Sequence, residues 1–181
     1  MCFYFETLNG VIIMNRKKFI INSITTIAGV SISGNTFGYS QGNVDLDYDE
    51  KLIKEFVLAG HNNLSKTKEL LEEYPNLISS RHHWGNGDFE EAIEGASHVG
   101  NKDIAEYLIG KGARINIFTL TMLGKTEIVK SILEQFPNLV YAKGPHGFSL
   151  LHHAKAGGKD SEALYYHLTE LGLGEMKFKL N

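Results

Sequence analysis

The sequence is poor in the residues that carry most covalent and metal chemistry. Its 181 residues include one cysteine, Cys2, so neither a disulfide framework nor a cysteine-based zinc site can form within one chain. Its eight histidines fall into no HExxH or comparable local spacing. Neighbours such as His82 and His83 point to opposite sides of an extended chain. A zinc site needs three or four converging ligands, so spacing predicts no metal ligands and no cofactor. The glycine-rich pieces "WGNGD" and "GPHG" lack the Lys-Ser/Thr pair of a phosphate-binding loop. No nucleophile stands out either. Ser97 and His98 are consecutive, and consecutive helical residues do not face each other. Ser149 precedes His152 at the spacing of a helix cap. Glu72-Glu73 and Glu90-Glu91 read as solvated helix faces. No catalytic residue is expected, and the chain reads as a non-enzyme.

Positive charge is also scarce. The net charge is −3, and the first forty residues hold three of the 18 basic side chains but one of the 21 acidic ones. The remainder is therefore more acidic than the whole and lacks the basic footprint of a nucleic-acid binder. The longest apolar run, Phe19 to Ile32, is too short and too polar for a stable membrane span.

That run has a context. "MNRKKFIINSITTIAGVSISG" opens at Met14 with Arg16, Lys17 and Lys18, continues apolar, and ends in small residues up to Ser40. Basic, apolar, small is the layout of an export signal. "NRKKFI" also resembles the twin-arginine export motif, with Lys17 in place of the second arginine. Residues 1–40 are thus expected to be a leader, with Met14 as an alternative start. The leader implies an exported, periplasmic protein of a bacterium; a cytoplasmic protein with a loose leader is the alternative.

The body of the chain repeats itself. "LLEEYPNLI" (70–78) matches "ILEQFPNLV" (132–140), with Leu71/Leu133, Pro75/Pro137, Asn76/Asn138 and Leu77/Leu139 identical. Between them, "GNKDIAEYLIGKGARI" from Gly100 has the pattern of "GKTEIVKSIL" from Gly124. Ile104, Leu108 and Ile109 fall on one helical face, as do Ile128, Ile132 and Leu133. "NNLSKTKELL" from Asn62 is a weaker copy. "GKDSEALYYHL" from Gly158 is a fourth, with one extra residue. Internal repeats of this length indicate stacked supersecondary units.

"GFSLLHHA" (147–154) and "GKGARIN" (110–116) resemble the turn, T-P-L-H-x-A-A and closing G-A segments of ankyrin repeats. The resemblance covers residues 52 to about 172. It implies an all-α ankyrin solenoid of about four helix-turn-helix repeats over 45–173, followed by a tail at 174–181. "GARINIFTLTMLG" leaves no room for a finger between the second and third repeats. Two long fingers are expected instead, at Pro75–Phe89 and Pro137–Phe148. Ala59, Ala96 and Ala154 would sit where inner helices approach. Gly100, Gly124 and Gly158 would end those helices, where a left-handed backbone suits glycine. Leu70, Leu71, Leu108, Ile109, Ile132 and Leu133 would form one continuous core.

The resemblance also implies a function: noncatalytic binding of another protein through the concave face. Carried over by position, that face holds His61, His98 and Met122, with Asp88 and Glu90 from the first finger and His146 and Phe148 from the second. Trp84 is a candidate anchor, because aromatics concentrate in interface hot spots. His152 would be structural and His153 partly exposed. The alternative is a small-ligand or metal-binding protein that uses the same histidine-rich groove.

Overall fold

The computed structural model describes residues 48–180, so the expected leader lies outside the described residues. Those described are mostly helical. Eight α-helices occur: α1 Glu50–Asn62, α2 Leu64–Glu73, α3 Ala92–Val99, α4 Lys102–Gly110, α5 Ile117–Met122, α6 Thr126–Gln135, α7 Leu150–Ala156 and α8 Glu162–Glu170. They come as consecutive pairs, and α1, α3, α5 and α7 pack side by side in that order. None of them is long and apolar enough to cross a membrane.

Short polar side chains start the helices. Asp49, Asn63, Asn101, Asn116 and Ser149 each accept a hydrogen bond from a first-turn backbone N–H of the helix that follows, which satisfies a donor the helix itself cannot. The turns within pairs two and three use Gly100 (φ 79°) and Gly124 (φ 66°). At both sites an added Cβ would meet a carbonyl group, of Ala156 and Asp160 respectively. The extra residue of the fourth copy is absorbed by a 3₁₀ turn, Gly158–Ser161. There the buried Ser161 hydroxyl donates toward the carbonyls of Thr121 and Met122.

Two long connections flank the middle pairs. The first contains a 3₁₀ turn at Pro75–Ser79 and an antiparallel hairpin, β1 His82–Gly85 with β2 Asp88–Glu90. The second contains 3₁₀ turns at Pro137–Tyr141 and Pro145–Gly147. No such connection separates α4 from α5, and α5 is only six residues long. Consequently α7 reaches past α5 to touch α3, and the second connection lies against β2.

Apolar burial occurs in two clusters rather than one. Phe56, Leu70, Leu71, Leu77, Ile93, Ile104, Leu108 and Met122 make the first. Phe118, Val129, Leu133, Val140, Leu150, Leu164, Leu168 and Leu173 make the second. Ala96 and Ala154 are buried as expected. Ile128 is not: it is 50% exposed, and its neighbour Val129 is fully buried instead. The buried face of α6 is rotated by one residue from the face its alignment with α4 predicts.

The C-terminal residues cover the second connection. Ser149 N–H donates to the carbonyl of Met176, Phe178 N–H donates to that of Gly147, and Met176 and Phe178 pack on the second core.

Candidate functional site

The residues that join the two connections form a cluster around one carboxylate. Asp88 and Glu90 are two apart on β2 and so project from the same side of the strand. His61 lies in the last turn of α1 and His98 in the last turn of α3. Gly95 is why the His61 ring fits: a Cβ there would come within 2.7 Å of its Cε1 and Nδ1. His146 arrives from the second connection with a left-handed backbone, φ 58°, a conformation that asparagine, aspartate and histidine adopt more readily than other non-glycine residues.

Hydrogen bonds fix the imidazole tautomers. His61 Nδ1 lies 2.9 Å from the carbonyl of Val57. A carbonyl only accepts, so the proton sits on Nδ1 and Nε2 presents its lone pair. His146 Nδ1 donates to Asp88 Oδ2 at 2.7 Å, and its backbone N–H donates to Asp88 Oδ1 at 2.8 Å. One carboxylate thus holds both the left-handed backbone and the ring, leaving His146 Nε2 to face Glu90 Oε2 at 3.5 Å. His98 Nε2 stands 2.8 Å from Glu90 Oε1 and 3.0 Å from His61 Nε2. It is the donor at the centre of the group. Trp84 Nε1–H donates to Glu90 Oε2 at 2.8 Å. Phe148 stacks on the His152 ring at a centroid distance of 4.0 Å and leans over His98.

Glu90 has no exposed surface, which corrects its reading as part of a solvated helix face and as a contact for a partner. The nearby acids of α3 are handled differently. Glu91 pairs with Arg114 at 2.8 Å and with Arg81 at 3.5 Å. Glu94 accepts from Asn116 at 2.9 Å and pairs with Arg81 at 3.4 Å. Burial, then the Glu94 charge, pushes the Glu91 carboxyl up against the opposing pull of Arg114 and Arg81. Among the described residues no lysine or arginine pairs with Glu90; its ionic partners are His61, His98 and His146.

The other expected contact residues divide. Met122 is fully buried in the first core and offers a partner no surface. Trp84 is half-buried and turned back onto Glu90 and His146. Phe148 and Asp88 are half-buried against the cluster. His152 donates from Nε2 to the carbonyl of His98 at 2.9 Å, tying α7 to α3, and burial lowers its basicity. His153, expected to be partly exposed, is fully buried. Its Nδ1–H donates to the carbonyl of Ser149 at 2.8 Å, its Nε2 has no partner, and burial pulls its pKa to about 3.

Neither a family model, nor a curated protein, nor a solved structure matches this chain. The site is therefore interpreted from its own geometry.

The indole N–H of Trp84 donates to Glu90 Oε2. Trp84→Phe keeps most of the ring but leaves a buried carboxylate oxygen short of a donor. It should destabilise the fold by about 2 kcal/mol, the scale of a hydrogen bond to a charged group. Urea unfolding followed by circular dichroism measures this, and an unchanged midpoint contradicts it.

Proposed function

We propose that the chain is a noncatalytic protein-binding module built as an ankyrin-type stack. The carrying observation is the first hairpin. Its tip, Gly85 to Gly87, has open space around both glycines. On its outer side His83 stacks on Phe89 at a centroid distance of 4.4 Å, and Phe89 is 46% exposed. An aromatic pair held rigid by a strand pairing loses little entropy when it docks, the property expected of a binding anchor. This moves the expected anchor from Trp84, which faces inward, to Phe89.

The stacked pairs support the ankyrin assignment through Gly100 and Gly124 at the turns, His152 across helices and a finger on each side of the middle pairs. The occupied hydroxyls of the serines next to His98 and just before His152 support a noncatalytic role. Ser97 and Ser149 are buried and donate to the carbonyls of Ile93 and Glu175, and Ser161 is similarly occupied. On this reading the partner is a protein that meets the chain where the leader delivers it, in the periplasm.

Phe89→Ala and His83→Ala should each weaken capture of the partner at least tenfold, the loss expected at a hot spot. Thermal unfolding should stay unchanged. Affinity capture with the full chain, followed by titration of the recovered partner, tests this. Undiminished capture by the double variant rules out the hairpin face.

A further inference from the structure

Glu90 is a fully buried carboxylate whose ionic partners among the described residues are all imidazoles. Burying a charge is costly unless it is neutralised. Asp88, its side chain 12% exposed, adds a second carboxylate, and it too has His146 as its partner. Two carboxylates at one place therefore lack any lysine or arginine. A carboxyl so placed keeps its own proton or is balanced by an imidazolium or a bound cation.

The geometry points to a cation. We propose that His61, Glu90, His98 and His146 form a binding site for one divalent transition-metal ion, with zinc as the best fit. One potential ligand atom from each residue lies within 4.8 Å of all the others. His61 Nε2, His98 Nε2 and Glu90 Oε1 form a triangle with edges of 2.8, 3.0 and 3.5 Å. A tetrahedral zinc site with bonds of about 2.0–2.1 Å has ligand–ligand edges of roughly 3.3 Å. His146 Nε2, 3.5 Å from Glu90 Oε2, supplies the fourth ligand.

The surroundings match the donors. Metal-bound imidazoles usually donate their second nitrogen to a carbonyl or carboxylate, which fixes the ring and raises its basicity. His61 does so to Val57, and His146 does so to Asp88. Both leave Nε2 free to bind. Trp84 holds the distal oxygen of Glu90, so Oε1 faces inward. The single proton between His98, His61 and Glu90 occupies the place the ion takes. To bind through Nε2, His98 carries its proton on Nδ1 instead, by tautomerisation of the neutral ring or by loss of the Nε2 proton to solvent from an imidazolium, and is then a neutral ligand like the other two. Two carboxylates and one dication then balance in charge. Three imidazoles and a carboxylate suit zinc, and also cobalt, nickel or copper, far better than magnesium or calcium, which prefer oxygen.

This inference is independent of the protein-binding reading, because His83 and Phe89 stand outside the cluster. The test is calorimetric titration of the full chain, stripped with EDTA, with ZnCl₂. It should show one saturable site with a dissociation constant at or below micromolar. At a hundredfold excess over that constant, the melting temperature should rise by about 5–10 °C. Cobalt should give the intense visible absorption of a tetrahedral centre. His146→Asn, which keeps a side chain tolerant of the left-handed backbone, and His98→Gln should each weaken zinc at least a hundredfold. Asp88→Asn should weaken it about 10–100-fold through His146. His167→Gln, on α8 outside the cluster, should leave zinc affinity unchanged. No saturable heat from the folded wild-type chain at about 100 µM zinc overturns the proposal and leaves an imidazolium–carboxylate network. Binding that survives both His146→Asn and His98→Gln also overturns it.

Discussion

Gly124→Ala should cost about 3 kcal/mol or more of stability, whereas Gly158→Ala should cost about 1. Both glycines have a left-handed backbone, at φ 66° and 62°, so either change carries the strain of an L-residue there, about 1–2 kcal/mol. Their surroundings differ. A Cβ at Gly158 meets nothing within 4 Å, whereas at Gly124 it would be driven into the carbonyl of Asp160. Backbone cannot rotate away as a side chain can, so overpacking adds about 1–3 kcal/mol. Paired urea unfolding curves isolate the difference. Equal losses at the two positions would mean that α5 and the turn before α8 do not approach as closely as the structure places them.

Acid should weaken the fold through His153. Burial holds its pKa near 3, against 6.5 for an ordinary imidazole. The native state therefore favours neutral His153, while the unfolded chain takes up a proton once the pH drops below about 6.5. Stability is fully present above that pH and falls as pH decreases toward 3, by about 1.4 kcal/mol per pH unit from this one group. The total is on the order of 5 kcal/mol, a large share of the stability of an ordinary domain. Burial is the physical reason, and a proton placed on the unpartnered Nε2 finds no acceptor to offset it. Unfolding free energies at pH 7, 5.5 and 4.5 should decline more steeply in the wild type than in His153→Gln. Parallel lines for the two proteins would show that another group carries the acid sensitivity.

The helix pairs were legible because their signals are local. Pro75 and Pro137 each begin a 3₁₀ turn just after an outer helix, and Gly100 and Gly124 have the left-handed backbone that their position in the pattern requires. The absence of a finger before Ile117 was equally plain in the chain. The facing of α6 was not. Alignment on Gly124 equates Ile128 with Ile104, but burial is decided by the neighbours of a helix, and those select Val129. His153 failed for the same reason, since an imidazole can be buried as an aromatic against Phe118.

The cluster was only half readable. His61, His98 and His146 could be assigned to one face by position. Glu90 was assigned there too, but its burial was not legible, because a charged residue in sequence suggests solvent and the rings around it come from α1, α3 and the second connection. The readable signal lay in the i, i+2 pair of Asp88 and Glu90 on a strand, together with the missing finger. With nothing between the second and third pairs, the two remaining fingers become neighbours, and His146 is brought against Glu90.

The short α5 has one more consequence. Phe118 on one side belongs to the second core and Met122 on the other to the first, so this helix is a wall shared by both halves. In a linear array, cooperativity is only as strong as the coupling between adjacent units. Here that coupling passes through a helix of six residues. Neither half can melt without stripping one face of α5, so the two cores should lose their slowest-exchanging amides together.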